Sequence, residues 1–206
     1  MVRAAIDAHL TRRFRSSSVV VHEVRMTLRR WETLARRTVF SGGPIRDIAV
    51  ETVRLPSGRI VPDYYQIALP DYVLIYAEMG DGTVPLLRQY KHGLRRVCLG
   101  FPGGAIEADE SPLDAARREL REELGCEAGR WESLGSFVMN AHQGCNTAHL
   151  FRAADVRNVA APSSDDLEDA AIEYLDAAAL RTSNLIDDIG QASHVALLFL
   201  ATERVR

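Results

Sequence analysis

The chain has 206 residues, 47% hydrophobic and 26% charged, with a formal net charge of -3. That composition suits one globular domain with an N-terminal extension. An acidic balance argues against a general nucleic-acid binder, and no apolar run approaches the roughly 20 residues of a membrane span.

The first forty residues depart from this average. Arg3, Arg12, Arg13, Arg15, Arg25, Arg29, Arg30, Arg36 and Arg37 make that end basic. The pattern reads as a solvated arm or helix face, with attraction of an anionic substrate as the alternative. The stretch lacks the apolar core of a secretory signal. Cys98, Cys126 and Cys145 are odd in number and have no CxxC spacing, so neither a disulfide framework nor a zinc site is expected. A reducing, cytoplasmic setting follows as an expectation.

In chain order, residues 19–26 and 47–55 are rich in Val and Ile and predict strands. Pro56-Ser57-Gly58 is a turn signal, and residues 60–69 read as the returning strand. Residues 72–78 and 84–90 predict two further strands, and Gly80-Asp81-Gly82 between them reads as a hairpin turn. Residues 97–101 are short and strand-like, after which Pro102-Gly103-Gly104 forces a loop. The clearest helix spans 112–124. Ser111 is its N-cap, Pro112 suits the first helical position, and Gly125 stops it. Leu113, Ala116, Leu120 and Leu124 form its apolar stripe. Strands are expected at 131–139, 147–153 and 171–174, with a loop at 156–166. A short helix is expected at 176–181 and a closing amphipathic one at 192–203. Strands and helices mix without regular alternation, so the expected class is α+β, a mixed sheet sandwiched between helices.

The predicted helix has a chemical face. Glu119, Glu122 and Glu123 stand at i, i+3 and i+4, beside the leucine stripe rather than opposite it. Three such carboxylates repel one another unless a cation sits among them, and hard divalent cations prefer clustered oxygens. A solvated face laced by Arg117, Arg118 and Arg121 is the competing reading. The preceding loop weighs against it, because Gly103 and Gly104 free a backbone carbonyl to turn toward a metal.

These residues resemble the Nudix box, G-x5-E-x7-R-E-U-x-E-E-x-G-U, where U is apolar. The chain supplies Gly104, Glu110, Arg118, Glu119, Leu120, Glu122, Glu123, Gly125 and Cys126, so all seven fixed letters match. The resemblance implies hydrolysis of a nucleoside diphosphate linked to another group, with Mg2+ (or Mn2+). It implies Glu119 and Glu123 as principal metal ligands, with Glu122 assisting and the Gly103 carbonyl as a further ligand. Arg118 and Glu110 would orient the glutamates, a supporting role shared by Gly104.

The flanks narrow the resemblance. Gln89-Tyr90-Lys91-His92 and Phe101-Pro102-Gly103-Gly104 resemble the approach to the box in ADP-ribose pyrophosphatases and related nucleotide-sugar hydrolases. That group implies a β extension (here residues 1–45) ahead of a hydrolase domain at 46–206, and a homodimer that exchanges the extension. It implies Lys91 on substrate phosphate and Trp31 stacked on the base. The general base would come from the acidic loop after the box, Glu168 first, near the metals, then Asp166. Two departures stand out. Gly100 replaces the group's glutamate, and no proline lies near Met139, so Asn140, His142, Gln143 and Asn146 become candidates to contact a different sugar or terminal group. The resemblance thus implies a nucleoside-diphosphate small-molecule substrate, ADP-ribose or a related nucleotide sugar. The alternatives are a non-catalytic nucleotide-binding Nudix module and a house-cleaning hydrolase of other dinucleotides. Neither nucleic acid nor membrane is expected as a partner.

Overall fold

The computed structural model describes residues 29–163, 169–180 and 185–203. The strand expected at 19–26 lies outside them. The first sheet is an antiparallel meander of β1 (Glu32–Gly42), β2 (Ile45–Arg54) and β3 (Ile60–Ala68). Tight turns at Gly43 (φ +57°) and Gly58 (φ +87°) need the positive φ that glycine adopts without strain. β1 was not anticipated. Every one of its residues is exposed, so it carries no alternation against a core. Cross-strand ion pairs mark its register instead, Arg54 with Glu32 and Arg36 with both Asp47 and Glu51. The expected division after residue 45 falls at the first residue of β2, inside this one sheet.

Two further three-stranded sheets form the body. β4 (Tyr72–Met79) pairs in parallel with β8 (Thr147–Asn158), which pairs antiparallel with β7 (Cys126–Val138). β5 (Thr83–Lys91) lies between β6 (Arg96–Gly100) and β9 (Ala170–Asp176). The expected β4–β5 hairpin is therefore corrected. The turn is present, with Gly82 N–H donating to the Met79 carbonyl, but the chain crosses there from one sheet to the other. A local turn signal cannot report which strands share a ladder.

β4 shows why two layers result. Leu74 and Tyr76 point into one core cluster, with Leu86, Phe101, Leu150 and Leu197. Val73, Ile75 and Ala77 point into the other, with Ala116, Leu120, Leu124 and Phe151. Alternate side chains of a strand leave opposite faces, so β4 is buried on both. Helix α1 (Pro112–Leu124) covers one face, and the last helix contributes Leu197, Leu198 and Ala201 to the other cluster.

Several boundaries move. β7 starts at Cys126 and β8 runs on to Asn158, because Cys126 and Asn158 still pair across the ladder. The loop expected from 156 thus begins at Val159. A short α2 (Ala177–Leu180) and a 3-10 turn (Leu185–Asp187) lead to α3 (Ala192–Glu203). α3 is less amphipathic than expected, since its outer face carries Ala196 and Phe199. The three cysteines are free. No helix among the described residues is long and apolar enough to cross a membrane.

Candidate active site

The caps of α1 set its rotation. Ser111 Oγ accepts from Asp114 N–H at 3.2 Å, and Gly125, at φ +65°, turns its N–H back to Arg121 and Leu120. Burying Ala115, Ala116, Leu120 and Leu124 then leaves Glu119 and Glu123 on the flank beside the core, each only 8% exposed. Glu122 lies further round, with 44% of its side chain exposed.

The glycine loop meets this flank. Ile75 N–H donates to the Pro102 carbonyl and Val73 N–H to the Gly104 carbonyl, both at 2.9 Å. Gly103 lies between them. β4 takes the carbonyls on either side of it, and its own N–H donates to Glu123 Oε2 at 2.7 Å. No side chain fits there: at φ +150° a Cβ would stand 2.0 Å from the Val73 carbonyl oxygen. A Cβ on Gly104 would stand 2.3 Å from Glu119 Oε1. The two glycines thus let α1 press its carboxylates against bare backbone.

Arg118 organises the rest. Its Nε and one terminal nitrogen fork onto both oxygens of Glu110, at 3.0 and 3.1 Å. Its other terminal nitrogen bridges Glu119 Oε1 (2.7 Å) and Glu122 Oε2 (3.0 Å), and the Ala105 carbonyl accepts a further bond. Hydrogen bonding to Arg118 holds the Glu110 carboxyl below its ordinary range. The same carboxylates raise the Arg118 pKa, Glu110 first.

The expected meeting of three glutamates is narrower in fact. Glu122 is tied to Glu119 through Arg118 but stays half-exposed, and among the described residues no three Asp, Glu, His or Cys side chains form a metal cage. What remains is two buried carboxylates on successive turns beside the Gly103 backbone. Both keep carboxylate oxygens beside a backbone carbonyl, and an all-oxygen set of this kind suits a hard divalent cation. The residues present therefore fit one.

A cleft of about 550 Å³ opens beside Glu123. Gly103, Gly104 and Glu123 line one side of it, while Lys91, Asn146 and His194 also contribute. Asn146 Nδ2 also donates to the Pro70 carbonyl at 3.0 Å. Asn140, His142 and Gln143 do not line the cleft. Asn140 Oδ1 instead accepts from the N–H groups of His142 and Gln143, closing the turn. The His142 and Gln143 carbonyls accept from Tyr64, Gln66 and the Ile67 N–H, which seats the loop on β3. Trp31 is 51% exposed and meets Tyr64 edge-on at 5.6 Å, close to that loop. Asp166 and Glu168 lie outside the described residues, but Ser163, just before them, donates its N–H to the Glu122 carbonyl at 2.8 Å.

Sequence reasoning missed Gln89 and His194, both buried and both lining the cleft. Phe101 N–H donates to His194 Nδ1 at 2.9 Å, and the ring stacks near Phe101. Burial first, and the Lys91 charge second, push the His194 pKa down to about 4. The imidazole is thus neutral near pH 7, with its proton on Nε2 because Nδ1 accepts. The only signal in the sequence was a polar pair, Ser193 and His194, on the buried side of an otherwise apolar helix.

A mixed α+β body with a carboxylate helix pressed on a glycine loop is the Nudix fold. The Nudix domain family matches residues 69–195, more than half of the chain, and the chain belongs to that family. It is similar to the ADP-ribose pyrophosphatase of Bacillus subtilis, with 30% identity over 125 residues, 61% of this chain and 66% of that one. The ADP-ribose pyrophosphatase of Mycobacterium tuberculosis is 30% identical over 135 residues, 65% and 64% of the two chains. Both matches span just under two thirds of the relative's length. The ADP compounds hydrolase NudE of Escherichia coli is 28% identical over 180 residues, 84% and 89% of the two chains. A crystal structure of an ADP compounds hydrolase superposes with a TM-score of 0.77 at 24% identity, over 87% of this chain and 96% of that one, which shows the shared fold.

Proposed function

We propose that the chain is a Mg2+-dependent hydrolase of the diphosphate bond in ADP-ribose or a related nucleotide sugar, releasing a nucleoside monophosphate and a sugar phosphate. The observation that carries this reading is the pair of buried carboxylates, Glu119 and Glu123, held against Gly103 and Gly104, with Glu123 and both glycines lining an open cleft. The two ADP-ribose pyrophosphatases among its relatives support the substrate class.

In this reading Glu119, Glu123 and the Gly103 carbonyl hold the cation, with Glu122 assisting; Mn2+ can substitute. Bound there, Mg2+ supplies positive charge to the diphosphate and makes nearby water more acidic. Arg118 fixes the orientation of Glu119 and, through Glu110, the start of the helix. Lys91 attracts substrate phosphate into the cleft. Glu168, with Asp166 as the alternative, accepts the proton of the attacking water; Ser163, the last residue described before them, donates its N–H to the Glu122 carbonyl on α1. Asn146 contacts the sugar end. Trp31, beside Tyr64, offers an aromatic face to the base. The exposed apolar side chains Val39, Phe40 and Tyr65 on the N-terminal sheet support a homodimer built through it.

The test is product identification. Purified protein with Mg2+ or Mn2+ is offered ADP-ribose, ADP-glucose, UDP-glucose, GDP-mannose, NADH, diadenosine polyphosphates and coenzyme A. Release of AMP and ribose phosphate from ADP-ribose is the expected result. Absence of cleavage across the panel refutes the reading.

A further inference from the structure

Lys91 brings charge to the cleft but little direction, since an ammonium is a compact point charge on a flexible stem. A phosphate held by it alone could rotate. A second donor stands nearby. His194 lines the same cleft as Lys91 and is itself buried, with its ring felt electrostatically by the Lys91 ammonium. Its orientation is fixed from two sides. Phe101 N–H occupies Nδ1 at 2.9 Å, and the ring lies so close over Gly100 that a Cβ there would stand 3.0 Å from Cε1. Any larger residue at position 100 would push the ring away. With Nδ1 accepting, the neutral ring presents Nε2–H as its only polar donor.

We propose that His194 Nε2–H and the Lys91 ammonium together bind one phosphate of the substrate's diphosphate. Lys91 supplies the charge and His194 the direction. The inference rests on the phosphate role given to Lys91 under the proposed function. It makes His194 a substrate-positioning residue on the last helix of the domain, and gives Gly100 the task of leaving space for its ring.

Two substitutions separate the ring's two nitrogens. His194→Asn keeps an oxygen near Nδ1 to accept from Phe101 and removes the Nε2 donor. His194→Gln restores an amide donor near Nε2 and gives up the acceptor. Removing the donor should raise KM for ADP-ribose about ten-fold, the scale of one hydrogen bond to a charged group, with kcat changed far less. His194→Gln should stay close to wild type in KM and lose thermal stability instead. The reverse pattern, with His194→Asn normal and His194→Gln impaired in KM, would mean that the ring serves only the Phe101 backbone and would overturn the proposal. A measurement on the unaltered chain guards against misfolded variants. In nitrogen-15-labelled protein the His194 Nε2 resonance should move on titration with pyrophosphate and Mg2+, and a resonance that stays fixed at saturation rejects the subsite. Absence of ADP-ribose cleavage by the wild type would sink the functional reading alone, because the pyrophosphate titration still decides the subsite.

Discussion

Gly104→Ala adds a single methyl group at the point where α1 meets the glycine loop. Its Cβ would lie 2.3 Å from Glu119 Oε1, 2.6 Å from Cδ and 2.8 Å from Oε2. Non-bonded heavy atoms settle at about 3.5 Å, so the Glu119 carboxylate must retreat by about 1 Å. Two facts keep the cost to the fold small. The obstacle is the tip of a side chain rather than backbone, and Gly104 does not need a positive φ. A destabilisation of about 1 kcal/mol is expected, or about 2–4 °C in Tm for a chain of this size. The cost to function should be larger, because a displaced oxygen ligand weakens metal binding by about 10- to 100-fold. Calorimetric titration with Mn2+ and the Mg2+ dependence of ADP-ribose turnover read the second effect, and a melting curve reads the first. Wild-type metal affinity and turnover would refute the placement of Glu119 at the metal. A fall of more than about 10 °C in Tm would refute the claim that the carboxylate can yield.

The neighbouring substitution should behave in the opposite way: Gly103→Ala sets a methyl 2.0 Å from the Val73 carbonyl at φ +150°, so about 3 kcal/mol or more of stability should disappear in urea unfolding. Glu123→Gln keeps an oxygen for the Gly103 N–H and should melt close to wild type, yet turnover at saturating Mg2+ should fall at least about 100-fold; near-normal kcat would remove Glu123 from the metal site. Glu110 predicts a pH effect. Arg118 depresses its folded-state pKa, so the ionised group adds stability above the ordinary carboxylate range and loses it as pH falls through the depressed value. The stability difference between wild type and Glu110→Gln should therefore be present at neutral pH and shrink in strong acid, and a gap that widens on acidification would reverse the assignment. Comparing Glu168→Gln with Asp166→Asn identifies the base, since the correct one should lower kcat by about 100-fold or more and leave KM nearly unchanged; equal, small effects would exclude both.

The sequence was most informative where local chemistry alone decides the outcome. α1 begins and ends where Ser111, Pro112 and Gly125 predict, because capping is settled within a few residues. The box implied that Arg118 and Glu110 orient the glutamates, but not that Arg118 forks onto Glu110 or that Glu119 and Glu123 press against the glycines. Strand partnership was less legible. β4 finds its ladder partner β8 more than seventy residues away, and the nearby turn suggested β5 instead. β1 carries no buried side chain, so its pattern had nothing to reveal. Asn140 was singled out as a polar loop residue, but its side-chain oxygen is claimed by the His142 and Gln143 N–H groups of its own turn. His194 was hidden for the opposite reason. Its value comes from Gly100 and Phe101, far away in sequence, which leave it a gap and a donor.

The backbone bonds from Val73 and Ile75 to the glycine loop have a consequence for solubility. β8 covers one edge of β4, and the loop from Pro102 to Gly104 covers the other. Without the loop, β4 would present a row of open N–H and carbonyl groups flanked by apolar side chains, the kind of edge that recruits other strands. The glycine loop of the candidate site therefore also shields this edge from self-association. Damage to it should show first as turbidity on concentration.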